Sequence, residues 1–209
     1  MKLQAFVAVL ALLASAALFA QSPQGWKLRV DRSMTAEDPD AAGSIKFTTK
    51  GSGFHAINPQ AATYWNPANT ATGNYSLKGT FTLVKSTGYD EYYGLMFGGS
   101  DLDAAGQSYL YFMITDDGTW LLKRRTGPST QNVSARTPNA AVKKPGAGGM
   151  CTNTLEVRVM ADKMDLVVNG IVVSSLPKTG ALAKTDGIYG LRINHQLEVQ
   201  VDGFAFAKQ

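Results

Sequence analysis

Apolar and polar residues alternate with a period of two along most of the chain between residues 75 and 206. In YSLKGTFTLV, residues 75–84, Tyr75, Leu77, Phe81 and Leu83 fall on one side and polar residues on the other. NTLEVRV at 153–159 and LEVQV at 197–201 repeat this alternation. A period of two with one apolar side predicts half-buried β-strands, and no segment in this region has a helical period.

Two dipeptides predict hairpin turns between such strands. Asn169-Gly170 separates KMDLVV from IVVSSL, and Asp117-Gly118 separates QSYLYFMIT from TWLLKRR. Both suit a two-residue type I′ turn, whose central residues need positive φ. Around Asp117-Gly118, this turn predicts pairs of Thr115 with Trp120, Met113 with Leu122 and Tyr111 with Arg124.

Other breaks in the pattern complete a predicted sandwich of two antiparallel sheets. The alternation slips by one residue at Asp202-Gly203, as a β-bulge would make it, and Gly94 and Gly98 indicate a bend or a close backbone approach. WKLRVD, SIKFTTKGSGFHAI and TYW predict three more strands near the N-terminus. The Pro- and Gly-rich stretch 125–152 is predicted to be a long loop. The fold class is therefore all-β, with residues 21–209 as one domain.

The first twenty residues, MKLQAFVAVLALLASAALFA, have the pattern of a secretory signal peptide. Cleavage after Ala20 predicts a secreted or periplasmic protein without a transmembrane segment in its mature chain; an uncleaved anchor is the alternative. Losing Lys2 changes 20 basic residues to 19, against 16 acidic ones, a net charge of +3. This weak, scattered charge gives no reason to expect nucleic acid as a partner.

The sequence offers little for catalysis. Cys151 is the single cysteine, so no internal disulfide forms and a buried thiol is expected. His55 and His195 are far apart in sequence, and no serine lies in a nucleophile-turn motif. A retaining glycosidase needs two carboxyl groups about 5 to 5.5 Å apart, and no acidic pair shares a strand face. No catalytic residue is assigned.

Two acids in GGSDLDAAG are candidates for a metal site. Asp101 and Asp103 supply two carboxylates for Ca²⁺, which takes six to eight oxygen ligands, often from loops. The alternative is a solvated polar loop, and no metal ligand is assigned.

Aromatic residues are better candidates, because Tyr and Trp rings stack on the apolar faces of sugars. The register predicted above places four side chains on one open sheet face, where their polar ends remain in contact with water: Tyr109, Tyr111, Trp120 and Arg124. Trp65, in ATYWNPAN, is a further candidate at a loop edge. The alternative role for each aromatic ring is core packing. These five residues are the predicted ligand-binding set.

The order of YYGLMFGG, SYLYFMITDDGTWLLKRR, NTLEVRVMADKMDLVVNG, GIYGLRI and VDGFAF resembles concanavalin A-like jelly rolls. Within that group it resembles the laminin-G-like and 3-keto-disaccharide hydrolase-like branch, over about residues 75–207. The resemblance implies an exported glycan-binding or accessory domain without its own catalytic apparatus. It leaves open a glycoside-acting hydrolase or lyase of the 3-keto-disaccharide type, and a protein-interaction or envelope-structural domain.

Overall fold

The computed structural model describes residues 22–32, 39–85 and 91–209, so the predicted signal peptide lies outside the described residues. The described chain forms fourteen β-strands and one short 3-10 turn, Gly180–Leu182. The strands are β1 Lys27–Asp31, β2 Lys46–Lys50, β3 Gly53–Asn58, β4 Ala61–Ala71, β5 Tyr75–Lys85, β6 Tyr93–Ser100, β7 Ser108–Ile114, β8 Thr119–Thr126, β9 Ser129–Pro138, β10 Cys151–Val159, β11 Lys163–Val168, β12 Ile171–Pro177, β13 Gly187–Ile193 and β14 Leu197–Lys208.

The strands form two antiparallel sheets of seven strands each. Sheet A has the order β1-β4-β13-β6-β7-β8-β9, and sheet B has the order β12-β11-β10-β5-β14-β3-β2. Of the three strands predicted near the N-terminus, two appear as β1 and β4. The third, SIKFTTKGSGFHAI, is instead two strands, β2 and β3, joined as a hairpin. The predicted all-β sandwich of two antiparallel sheets is therefore confirmed.

One face of each sheet forms the core between the two layers. From sheet B, Leu77, Phe81 and Leu83 of β5 are fully buried, as the alternation predicts. They share one apolar cluster with Leu110 and Phe112 of β7 in sheet A. Each such side chain contributes about 1.5–3 kcal/mol by leaving water. Burial of these alternate positions is what fixes the strand registers.

The hairpin at Asn169-Gly170 has the predicted two-residue turn. Val168 pairs with Ile171, and φ is 51° at Asn169 and 83° at Gly170. The asparagine side chain also contacts neighbouring segments: its Oδ1 accepts from the Thr154 N–H at 2.9 Å. The turn is therefore attached to strand β10 as well as to its own hairpin.

The hairpin at Asp117-Gly118 differs from the prediction by one residue. Ile114 pairs with Trp120, and the Thr115 N–H donates to the Thr119 carbonyl at 3.0 Å, so the loop has three residues. The Asp117 carboxylate stabilises this longer loop by accepting from both threonine hydroxyls and from the Thr119 N–H. A shift of one residue reverses the face on which every later side chain lies, so the predicted register is wrong.

The stretch 125–152 also differs from the predicted long loop, because Ser129–Pro138 forms β9 at the edge of sheet A. Most of its side chains are exposed, so the strand lacks the apolar alternation that would reveal it. The predicted bulge near Asp202 is confirmed by a register shift between Asp202 and Ala205. The predicted close approach at Gly94 is confirmed too, since a Cβ there would overlap the Phe112 carbonyl oxygen.

Candidate functional site

The outer face of sheet A, which points away from sheet B, carries a second apolar cluster. Cross-strand partners share a face, so the register places Trp65, Met96 and Tyr111 in one row across β4, β6 and β7. These three side chains cluster with Leu102, Tyr109, Met113 and Leu121, separately from the core between the sheets. Two of the three tyrosine and tryptophan rings in this cluster come from a single strand, β7.

A turn between β6 and β7 lies against this cluster. Leu102 at the turn packs within it, and Arg29 of β1 donates to the carbonyl oxygens of Leu102 at 3.3 Å and Ala104 at 2.6 Å. Lys27 Nζ adds an ion pair with Asp103 Oδ2 at 2.6 Å. Strand β1 therefore holds the turn in place from the edge of the sheet.

The aromatic rings of this cluster are buried. Trp65 is 1% exposed, Tyr109 1% and Tyr111 6%. This contradicts the prediction that Tyr109 and Tyr111 lie on an open face with their polar ends in water. Trp65 was predicted at a loop edge, but it lies buried within strand β4. Burial raises the pKa of Tyr111 to about 12, although the charge of Arg192 opposes the rise.

A cavity of about 290 Å³ opens between β4 and the turn. Its lining is Lys27, Trp65, Pro67, Asp101, Leu102, Asp103, Ala104 and Ile188. The wall is apolar and aromatic, whereas Lys27 and the two aspartates supply charged hydrogen-bonding groups. Small-ligand sites typically combine apolar walls with a few polar groups in this way, at volumes of about 300–1,000 Å³.

Beside this cavity, three arginines surround the carboxylate of Asp31. Arg192 Nη1 donates to Asp31 Oδ2, Arg125 Nη2 lies 3.4 Å from Oδ1, and Arg29 Nε lies 4.0 Å from Oδ1. Burial lowers the pKa of Arg192, but the neighbouring Tyr109 and Asp31 outweigh burial and hold that pKa above its ordinary value. Arg192 is therefore charged at every ordinary pH.

The same arginine connects Asp31 to the aromatic cluster. Arg192 Nη1 also donates to Thr63 Oγ1 at 3.1 Å and to the Tyr109 hydroxyl at 3.4 Å. Its guanidinium carbon lies 5.9 Å from the centre of the Tyr111 ring, within the range of a cation–π contact. Sequence reasoning missed Arg192 and Asp31 because 161 residues separate them and neither lies in a recognisable motif.

The predicted ligand-binding set divides between the two faces of sheet A. Trp65, Tyr109 and Tyr111 come together on the outer face. Trp120 instead packs in the core against Phe112, with ring centres 6.2 Å apart. Arg124 donates to the Ala181 carbonyl at 2.8 Å and to Ser108 Oγ at 3.0 Å. The predicted shared face is therefore wrong, and a ligand contact by any of the five residues stays a prediction.

The two aspartates considered for Ca²⁺ lie on the turn beside the cavity. Asp101 has a φ of 52°, and Asp103 pairs with Lys27, which a metal ion would have to displace. Among residues 22–32, 39–85 and 91–209, no group of three or more His, Cys, Asp or Glu side chains is placed to hold a metal ion.

A second cluster of titratable groups surrounds His195, at the turn between β13 and β14. Its Nδ1 lies 2.9 Å from Asp40 Oδ1 and its Nε2 lies 3.4 Å from Glu91 Oε1. His195 and Glu91 are buried. The other histidine, His55, pairs with Glu198 at 2.9 Å on sheet B. No local spacing links residues 40, 91 and 195, so the sequence alone gives no sign of this cluster.

The thiol of Cys151 is buried, as predicted, and lies 3.6 Å from the Tyr93 hydroxyl. Burial raises the pKa of this thiol above its ordinary value, although the Tyr93 hydrogen bond opposes the rise. A raised pKa reduces the thiolate fraction that would react.

Strand order and layering make this sandwich a concanavalin A-like jelly roll, as the sequence resemblance implies. No family model matches the chain, and no curated protein matches it. In the part of the chain described, no helix has the length and apolar character needed to cross a membrane.

Several solved structures share the fold. The carbohydrate-binding module CBM66 from Bacillus subtilis has a TM-score of 0.63 at 10% identity, covering 88% of this chain and 96% of that one. A Bacillus subtilis protein of unknown function with a galectin-like fold has a TM-score of 0.63 at 12% identity, covering 88% and 89%. A glycoside hydrolase family 16 endo-glucanase from Bacteroides ovatus has a TM-score of 0.55 at 11% identity, covering 85% and 92%.

Proposed function

We propose that this protein is an exported glycan-binding or accessory domain without its own catalytic apparatus. The observation that carries the proposal is the cavity beside Trp65 on the outer face of sheet A, with its apolar walls and charged rim. Its volume of about 290 Å³ is at the lower end for small-ligand sites and suits one ring of an oligosaccharide.

The residues around this cavity match the two kinds of surface on a sugar. Pro67 and Ile188, which are not buried, offer apolar surface to the C–H face of a ring, with Trp65 and Leu102 packed beneath them. Lys27 and Asp103 offer a donor and an acceptor for hydroxyl groups. Their side chains are 50% and 64% exposed, so their ion pair exchanges with hydroxyl groups at little cost in free energy.

The comparisons support this proposal at the level of the fold. The similar structures include a carbohydrate-binding module and a glucanase, but all share only about a tenth of their residues with this chain. The proposal therefore depends on the cavity, with the predicted export and the jelly-roll fold as support.

The test is an oligosaccharide array followed by binding measurements on Lys27→Ala and Asp103→Ala. Lys163→Ala is the control for the lysine, since the Lys163 side chain is 48% exposed, close to the 50% of Lys27, and pairs with Asp165 on sheet B. We expect reproducible binding without turnover, weakened about tenfold by each cavity variant and unchanged by the control. If all three variants bind as tightly as the wild-type protein, the glycan binds at a site other than this cavity. The absence of binding to any glycan would overturn the proposal and favour the protein-interaction or envelope-structural alternative.

A hydrolase or lyase of the 3-keto-disaccharide type is the second candidate, favoured by one observation. The carboxylates of Asp40 and Glu91 both lie against the His195 imidazole, and carboxylates and imidazoles serve as general acids and bases. The enzyme hypothesis predicts turnover of 3-keto-disaccharides that His195→Gln abolishes without changing substrate binding. Turnover that persists in His195→Gln, or its absence in the wild-type protein, would count against this candidate.

A further inference from the structure

We propose that the glycan bound by this domain is acidic, carrying carboxylate or sulfate groups that bind at the Asp31 arginine cluster. This inference rests on the proposed function and names the class of its ligand. The arginine cluster consists of Arg29, Arg125 and Arg192, whose guanidinium groups all lie within 4.0 Å of the one Asp31 carboxylate.

Among the residues that the structure describes, the charges in the arginine cluster do not balance. Three guanidinium groups carry three positive charges, and among the described residues Asp31 is the one carboxylate that pairs with them. Within the described ranges, the positive charge at this place on the outer face of sheet A therefore exceeds the negative charge by two. Like charges held together repel one another, and a second oxyanion would remove that repulsion.

Limited contact with water increases the need for a counterion. The side chains of Arg192 and Asp31 are each 10% exposed, that of Arg125 is 18% exposed and that of Arg29 is 31% exposed. Charges in such positions are screened less than charges on an open surface. Arg125 and Arg29 remain open enough for a ligand to reach them.

Guanidinium groups also have the right geometry for such a ligand. Their N–H groups match the spacing of carboxylate oxygens and form paired hydrogen bonds to an oxyanion. Each of the three arginines uses only part of its donors within the described residues: Arg125, for example, donates Nε to the Gly127 carbonyl and Nη2 to Asp31.

The arginine cluster is continuous with the proposed sugar cavity. Arg29 donates to the carbonyl oxygens of Leu102 and Ala104, and both of these residues line the cavity. Lys27, two residues before Arg29 on the same face of β1, lies at the cavity rim. A saccharide with a ring in the cavity would therefore present an acidic substituent to Arg29 and Arg125.

The experiment compares pairs of saccharides that share a backbone, of which one member carries acidic groups and the other does not. Oligogalacturonate and its methyl ester have the same backbone, as do sulfated and unsulfated galactan oligosaccharides. We expect the charged member of at least one pair to bind about tenfold more tightly or better. The pair that shows the difference distinguishes a carboxylate ligand from a sulfate ligand.

Two variants of one arginine locate the effect. Arg125→Gln removes one positive charge from the arginine cluster. Arg125→Lys keeps the charge but loses the planar guanidinium group with its paired N–H donors. The control is Arg158→Gln, which removes the same charge from the outer face of sheet B, where Arg158 pairs with Glu156 at 2.8 Å. We expect about tenfold weaker binding of the charged oligosaccharide with Arg125→Gln, a smaller loss with Arg125→Lys and no change with the control.

The outcomes separate this inference from the proposed function. Equal binding of the charged and neutral saccharides would overturn the acidic ligand but leave a glycan-binding domain. Equal losses with Arg125→Gln and Arg158→Gln would show diffuse attraction to the whole protein and would also overturn it. If no saccharide binds at all, the proposed function itself fails, together with this inference.

Discussion

Replacing Asn169 by alanine is expected to lower the free energy of unfolding by about 3 kcal/mol, from two separable sources. The first is conformational: φ at this residue is 51°, which asparagine tolerates better than alanine, and the difference is about 1 kcal/mol. The second is the loss of the side-chain hydrogen bonds. Conformation alone would predict only the smaller figure.

Three hydrogen bonds from this side chain connect three segments. Oδ1 accepts from the Thr154 N–H at 2.9 Å, and Nδ2 donates to the Ala141 carbonyl and to Asn153 Oδ1, both at 2.7 Å. Such bonds contribute about 0.5–1.5 kcal/mol each, so losing three from a partly buried site costs about 2 kcal/mol.

A second substitution separates the two sources. Asn169→Gly removes the same hydrogen bonds but accepts positive φ without strain, so it should cost about 2 kcal/mol, roughly 1 kcal/mol less than alanine. Equilibrium unfolding in guanidinium chloride measures all three proteins, provided that the m-values agree. Asn132→Ala, on the exposed edge strand β9, is the control and should leave the midpoint unchanged.

Two results would refute this reasoning. Equal stabilities of the alanine and glycine variants would show that the positive φ of Asn169 costs alanine nothing. A glycine variant within about 0.5 kcal/mol of wild type would show that the three hydrogen bonds add no net stability. The first result would rule out the conformational contribution of Asn169 to stability, and the second would rule out the contribution of its hydrogen bonds.

Three further substitutions test other parts of the fold. Asp31→Ala should cost about 3 kcal/mol in denaturant unfolding, because it leaves Arg192 charged and poorly solvated; a change under 1 kcal/mol would contradict that role. Gly94→Ala should also cost about 3 kcal/mol, because its Cβ would overlap a strand carbonyl, whereas Gly106→Ala, with open space around it, should be neutral. Hydrogen bonds outweigh burial and lower the pKa of Asp117 to about 2, so its contribution to stability is present above about pH 4 and disappears as pH falls towards 2. Asp117→Asn should make the unfolding midpoint depend less on pH between about pH 4 and pH 2. The same pH dependence in wild type and variant would contradict the lowered pKa of Asp117.

The fold was predictable because burial repeats along the chain. The strand β5 buries alternate residues, and Asn169-Gly170 demands positive φ at both positions, so local patterns report the structure directly. Strand β9 escaped prediction because it is an edge strand with polar residues on both faces. The Asp117-Gly118 register escaped because the side chain of Asp117 stabilises a three-residue loop, which no alternation pattern records.

The candidate site was predictable only in part. Tyr109 and Tyr111 share a face as predicted, because residues two apart on one strand lie on the same face in any register. Trp65 joins them only through the pairing of β4, β13, β6 and β7, which the sequence does not show. Trp120 and Arg124 were assigned to that face through the wrong register, and their separation from it follows from the one-residue shift. The arginine cluster depends on contacts between β1, β8 and β13, which only the folded sheet brings together.

The position of β14 has a consequence for how the chain folds during synthesis. This strand is the last in chain order, yet it lies inside sheet B between β5 and β3. Until it is made, the β2–β3 hairpin has no partner that joins it to the rest of sheet B. Such non-local pairing slows folding. Because synthesis proceeds at about 5–20 residues per second, a long interval separates the synthesis of β3 from that of β14, and the two strands cannot pair before it ends. A ribosome-bound chain that lacks residues 197–208 should therefore remain unfolded and sensitive to protease.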